Sequence, residues 1–145
     1  MRPKVSRSLS LDQAAYIAGL IDGEGTVTLT RKHKNENRQL CVSISSTERN
    51  LLEFVLDATG TGKITTKKTT RYNHSPSFTY AVYNRQALAL LDQVRPHLKS
   101  YKLRRAELIL AEYLVVTPRN GKYTPELLAK KKNFEDRVLG INANS

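Results

Sequence analysis

The chain has 145 residues, with 24 Lys+Arg against 13 Asp+Glu, a formal net charge of +11 and a pI near 10.0. A hydrophobic fraction of 39% suffices for one packed domain, and the positive excess points to a polyanionic partner, nucleic acid before an anionic membrane surface. The single cysteine, Cys41, excludes an internal disulfide framework and a four-cysteine zinc site; the three scattered histidines make no metal cluster, and no apolar run approaches the ~18 residues of a membrane span.

Residues 1–9 read as a basic tail without apolar periodicity, expected to be loose in the absence of a partner. The tail lacks the apolar stretch of a secretory signal, so an intracellular location, cytoplasm or organelle, is expected. A single domain then occupies 10–145. Its first helix is predicted over about Leu11–Asp22, with Ser10 and Gln13 at capping-box spacing and Gly23 and Gly25 ending it. Small residues four apart, Ala15 with Gly19 and Ala14 with Ala18, allow two helix backbones to approach closely.

Residues 26–34 alternate as a half-buried strand does, with Thr26, Thr28, Thr30 and Lys32 on one face and Val27 and Leu29 on the other. A polar turn over His33–Asn37 leads to a second strand over 38–45, in which Leu40, Val42 and Ile44 face inward and Gln39, Cys41 and Ser43 outward. A second helix is expected from about Thr47 to Thr59, capped by Ser45 with Glu48 and ended by Gly60. A third strand is expected over 63–70, with Thr65, Lys67 and Thr69 on one face, then a turn over 71–76. A fourth strand over 77–83 sets Ser77, Thr79, Ala81 and Tyr83 opposite Phe78, Tyr80 and Val82. Asn84 is expected to cap a helix over 85–94; Pro96 interrupts, and a further helix over about 100–116 turns Leu103, Ala106, Leu110 and Tyr113 inward. Thr124-Pro125 starts a last helix that ends near Gly140 and carries Lys130, Lys131 and Lys132 on a solvated face. The order is α-β-β-α-β-β-α-α-α, a weak αββ repeat followed by helices.

The stretch with chemical content is Ile17-Ala18-Gly19-Leu20-Ile21-Asp22-Gly23-Glu24-Gly25. It is an apolar helix ending in two acids, at the negative end of the helix dipole where a carboxylate is disfavoured. Two readings follow: solvated turn residues, or acids compensated by a hard divalent cation.

This stretch resembles the LAGLIDADG signature of homing endonucleases and related intron maturases, departing from it by Ile for the first Leu, Gly23 for Ala and Glu24 for the last Asp. The resemblance implies an α+β fold of αββαββα order, in which a curved antiparallel four-stranded sheet forms a DNA-binding saddle, followed by C-terminal helices. It implies site-specific, metal-dependent cleavage of double-stranded DNA, typically as an enzyme encoded in a mobile intron. Glu24 then falls at the position that binds Mg²⁺, for which Mn²⁺ is expected to substitute, and Gly23 would add its carbonyl. Lys102 resembles the family's active-site lysine, with Lys99 as a rival placement. Ser46 falls where relatives often carry a water-ordering Gln, or else serves as a helix cap. Single-motif members act as homodimers, and the small stripe independently suits an isologous interface through Ala15, Ala18, Gly19 and Asp22.

The candidate DNA surface comprises Thr26, Thr28, Thr30 and Lys32; Gln39, Cys41 and Ser43; Thr65, Lys67 and Thr69; and Ser77, Thr79 and Ala81. Arg31, His33, Lys34, Arg38, Lys68 and Arg71 flank it toward phosphates. Any antiparallel sheet exposes one polar face and threonine favours strands, so the whole face together with the net charge carries this reading. Of the tyrosines that offer a stacking surface, Tyr72, Tyr83 and Tyr101 remain candidates, whereas Tyr80 and Tyr113 suit the core. At ~3.3 Å per strand residue and ~3.4 Å per base pair, ten residues span ~10 base pairs, and a dimer about 20. The alternatives are an RNA-binding maturase of the same fold, with intron RNA as its partner, and a non-catalytic basic DNA-binding regulator. No helix-turn-helix pattern supports the regulator.

Overall fold

The computed structural model describes residues 7–67 and 76–145. Helix α1 (Leu11–Glu24) leads into β1 (Gly25–Thr30), β2 (Gln39–Ser46), α2 (Arg49–Thr59), β3 (Lys63–Lys67), β4 (Ser77–Tyr83) and α3 (Asn84–Val94); a 3-10 turn (Arg95–His97), α4 (Lys102–Glu112) and α5 (Pro125–Leu139) follow. The strands form one antiparallel sheet of order β1-β2-β4-β3, so the two αββ units meet along β2 and β4. This is the α+β arrangement expected.

The capping box on α1 is present: the Gln13 amide donates to Ser10 Oγ (3.1 Å) and Gln13 Oε1 accepts from the Ser10 amide (3.0 Å). Ala14, Ile17, Ala18 and Ile21 turn inward at helical spacing. The helix runs through Gly23 to Glu24, two residues further than expected. It can do so because the Gly25 amide closes the last turn on the Ile21 carbonyl. A Cβ at Gly25 would lie 2.7 Å from Ile21 Cα and 2.9 Å from the Ser43 carbonyl oxygen, so only glycine lets helix pass directly into strand here.

Alternation in β1 and β2 buries Val27, Leu29, Leu40, Val42 and Ile44 against α1, α2 and α3. Strand β2 continues to Ser46, paired with Phe78, so Ser45 belongs to the sheet and does not cap α2. The Glu48 amide donates instead to Ser46 Oγ at 2.9 Å, and α2 starts at Arg49. Gly60 ends α2 in the left-handed region, φ 70°, as expected. The part of the third strand beyond Lys67, with Lys68, Thr69, Arg71 and Tyr72, lies outside the described residues.

Other expectations change. Asn84 is the first residue of α3 rather than its cap. Its φ is +54°, a conformation asparagine tolerates better than other side-chain-bearing residues, and its amide bonds across to Gln39 and Tyr113. Residues 7–9 of the tail are held: the Arg7 amide donates to the Thr59 carbonyl (2.8 Å), and Gln93 brackets the segment through the Leu9 amide and the Arg7 carbonyl. Helix α4 is shorter than expected and buries Lys102, Ala106 and Ile109; Leu103 and Leu110 pack at the core's margin. Helix α5 starts on the Thr124 cap as expected, but Lys131 is fully buried, its Nζ 2.7 Å from Thr117 Oγ1 and 4.6 Å above the Tyr113 ring. Only Lys130 and Lys132 of that basic run face solvent.

Candidate active site and nucleic-acid interface

The sheet has helices on its inner face only. Its outer face is built in rungs by strand register. Thr26, Ser43, Ala81 and Lys63 form one rung; Ser45, Thr79 and Thr65 a second; Thr28, Cys41 and Tyr83 a third; Thr30 and Gln39 the outermost on one side; and Lys67 with Ser77 the outermost on the other. No described residue of these rungs is a carboxylate. The predicted face is therefore assembled as one surface, with Lys63, Ser45 and Tyr83 added to it. Lys63 shares its alternation with Thr65 and Lys67 and was readable from that. Ser45 was obscured by its capping-box spacing to Glu48, yet its hydroxyl instead pairs with Thr79 Oγ1 at 2.8 Å.

Two predicted members differ. Cys41 has the expected orientation but is only 6% exposed, hydrogen-bonded beneath Tyr83, and is not open to a groove. Arg38 is half-buried: its amide donates to Glu135 Oε2 (3.0 Å), its Nε lies 3.7 Å from Glu135 Oε1, and Nη1 points to the Leu29 carbonyl. It fastens the β1–β2 hairpin to α5 rather than standing free for phosphate. Lys32 and Lys34 are exposed in the hairpin, where Arg31 donates to the Lys34 carbonyl.

At the α1–β1 joint, Glu24 is exposed and makes no hydrogen bond or ion pair with any described residue. Asp22 is engaged quite differently. Its carboxylate accepts from the Lys99 amide (2.8 Å) and from the amide and hydroxyl of Ser100, tying the α4 approach to the motif helix. Burial opposes its charge, but the Ser100 side chain, the two amides and the Lys102 charge outweigh it and hold the carboxyl below its ordinary value.

The Lys102 ammonium donates to the carbonyls of Ile21 (2.8 Å), which also accepts the Gly25 amide, and Asp22 (2.9 Å) at the end of α1. Burial lowers its pKa, and the charges of Asp22 and Glu24 only partly restore it. Between the two candidate lysines, Lys102 is the one whose side chain reaches the motif; Lys99 contributes its backbone amide. Ser46 Oγ accepts the Glu48 amide, so the structure gives it a turn role.

Among the described residues no three His, Cys, Asp or Glu side chains cluster to hold a metal. One chain thus offers the free Glu24 carboxylate beside the Gly23 carbonyl. These are hard oxygen donors of the kind Mg²⁺ takes in ones and twos, with phosphate oxygens and water completing the shell. The donor set fits a metal shared with a nucleic acid and a second carboxylate.

The proposed interface stripe divides. Ala15 and Gly19 are exposed, and a Cβ at Gly19 or Gly23 would meet nothing within 4 Å. Ala18 is 0% exposed within the chain's own core, and Asp22 is committed to Lys99 and Ser100, so both leave the interface set. The open seam is Ala15, Gly19 and Gly23, beside an exposed Tyr16–Phe54 stack. Among the described residues, no helix is long and apolar enough to cross a membrane.

A search of curated proteins by sequence gives no match. Several solved structures share the fold. The homing endonuclease I-CvuI, in complex with its target in the presence of Ca, aligns over 91% of this chain and 83% of its own at 16% identity and a TM-score of 0.73. The archaeal intron-encoded homing endonuclease I-Vdi141I, complexed with DNA, aligns over 92% and 86% at 15% identity and a TM-score of 0.61. The group I intron-encoded homing endonuclease I-CeuI, complexed with DNA, aligns over 91% and 68% at 14% identity and a TM-score of 0.64. Residues 12–135 match the sequence profile of the LAGLIDADG-like domain, and with the αββαββα order and a motif helix ending in Asp22-Gly23-Glu24, the chain belongs to that family.

Proposed function

We propose that this chain is a site-specific double-strand DNA endonuclease, hydrolysing phosphodiester bonds as a homodimer on a near-palindromic site of about 20 base pairs, and encoded in a mobile intron. The observation that carries the reading is the position of Glu24. Among the described residues it is an unpartnered carboxylate at the end of the motif helix and at the margin of a sheet face free of acid, in a chain of net charge +11. Similar folds are described in complex with DNA, and one of them, I-CvuI, in the presence of Ca and of Mg.

Glu24 and the Gly23 carbonyl would hold the divalent ion, Mg²⁺ with Mn²⁺ as a substitute. When bound, the ion supplies a polarised phosphate and a water of lowered pKa. Glu24 stands free to bind because Lys102 satisfies the preceding carbonyls and Asp22 anchors the α4 approach, which leaves the helix end rigid. Lys102 adds fixed positive charge below the scissile phosphates, where negative charge grows during in-line attack. The outer sheet face holds the duplex in register, through hydroxyl and amine groups that reach base edges and phosphates. A two-fold axis along Ala15, Gly19 and Gly23 brings two copies of Glu24 together, one for each strand. Two carboxylates so close repel strongly, which favours a cation between them.

The test is selection of cut ends from a randomised duplex library with Mg²⁺. Glu24→Gln is expected to bind the selected site as tightly as the native chain and to leave it uncut; cutting by the purified variant would refute the assignment. RNA-binding maturase activity is the second reading, and the unpartnered Glu24 argues for cleavage over it. Tight binding of intron RNA with no cleavage of any duplex would reverse that preference.

A further inference from the structure

We infer that a one-way chain of hydrogen bonds from the Leu40 backbone amide through Tyr113 and Asn84 fixes the side-chain amide of Gln39 as a donor toward DNA, so that Gln39 favours guanine over cytosine in each half-site. The inference rests on the DNA-reading role proposed for the outer sheet face.

The chain starts at a group that can only donate. It is the Leu40 backbone amide, 3.2 Å from the Tyr113 hydroxyl, which accepts it. The single proton of that hydroxyl goes to Asn84 Oδ1 at 2.8 Å. With its oxygen so occupied, Asn84 presents Nδ2 to Gln39 Oε1 at 2.9 Å. Among the described residues nothing accepts either Nε2 proton of Gln39, which stands on the outer face beside Thr30. The Asn84 backbone, at φ +54°, is a conformation that must be held by its surroundings, and these side-chain bonds hold it.

The polarity decides what can be read. Pairing with adenine across both its groups requires a glutamine to offer one acceptor and one donor. Gln39 offers donors. Guanine presents two adjacent acceptors in the major groove and adenine and thymine one each, whereas cytosine presents a donor there and is rejected. Gln39 pairs with Thr30, six residues along β1 from Glu24. At ~3.3 Å per residue that is ~20 Å, or about six base pairs, from the cut.

Two single-residue variants reverse the polarity. Asn84→Asp removes the donor that faces Gln39, so the glutamine amide turns its Nε2 inward and its oxygen outward; aspartate tolerates the same backbone region. Gln39→Glu keeps Asn84 intact and offers an outward oxygen from an exposed strand end, so it tests the idea even where the first variant unfolds. Full-length protein and both variants are compared by binding selection from a randomised duplex library, with folding checked by circular dichroism. The native chain is expected to enrich guanine over cytosine about tenfold or more at one position per half-site, about six base pairs from the centre. The variants transfer the preference there to cytosine or adenine and leave the other positions as they were. Folded variants with native preference at that position overturn the inference, as does a loss spread evenly over the site. A native chain that enriches no sequence overturns the endonuclease reading itself, and this inference with it.

Discussion

Lys102 lies with its ammonium 2.8 Å from the carbonyl oxygen of Ile21, across the chain from the motif helix it closes. The contact does two jobs. It adds a donor to the carbonyls at a helix end where a cation also complements the dipole, and it sets a positive charge behind Glu24. Lys102→Met keeps the apolar stem and removes the charge. It removes the donor from the Asp22 carbonyl and leaves the Ile21 carbonyl with the Gly25 amide alone, an expected loss of about 1–3 kcal/mol in urea unfolding. Cleavage at saturating DNA should fall by at least the ~10²-fold typical of a lost charge-stabilising donor, with DNA affinity little changed. Native cutting rates in the folded variant would remove Lys102 from the chemistry.

Asp22 predicts a pH dependence. Its folded pKa is lowered, chiefly against burial by Ser100, Lys99 and Lys102, so the unfolded chain binds the proton more readily. The stability it contributes is fully present above the unfolded value of ~3.9 and is lost as pH falls through the lower folded value. Melting temperatures measured from pH 7 down to pH 3 should therefore drop less steeply for Asp22→Asn than for the native chain. The variant should already be the less stable at pH 7. Parallel curves would mean that the carboxylate's charge is not what ties α4 to α1.

Gly19 tests the assembly. Nothing lies within 4 Å of a Cβ there and the position is exposed, so a side chain can be added facing solvent. Gly19→Leu should raise helix propensity by ~0.8 kcal/mol and keep native circular dichroism. In sedimentation the native chain should run as a dimer and this variant as a monomer, and the variant should lose double-strand cutting. A variant that still sediments as a dimer places the two-fold elsewhere.

What was legible in the sequence followed local rules. Ser10 with Gln13 and the alternation of Thr26 to Thr30 are set within a few residues, and both appear as read. What was not legible depended on distant partners. Ser45 has the spacing of a cap, yet β4 claims it for the sheet through six paired positions. Lys131 sits in a basic run that reads as solvated, and only the fold supplies Thr117 and Tyr113 to receive it. Arg38 looks like a free phosphate contact until Glu135, 97 residues away, occupies it. Asp22 and Glu24 are chemically similar and two residues apart; the α4 approach takes one and leaves the other open, which neighbouring sequence cannot decide.

Lys67 measures the electrostatic grip of the sheet. It is exposed at the end of the described part of β3, paired with Ser77 and with no acid on its face. A lysine that meets a phosphate releases about one counterion, so Lys67→Ala should weaken DNA binding across all sequences alike and reduce the slope of log K against log salt by about 1. Lys132 provides the comparison: it is exposed on α5, 3.4 Å from Asp136, away from the sheet. Lys132→Ala should leave the slope unchanged, because the charge it removes lies on a helix face remote from DNA. Binding isotherms between low and physiological salt for the two variants separate a local phosphate contact from a general effect of net charge. Equal changes in both would mean that the sheet holds the duplex through overall charge alone.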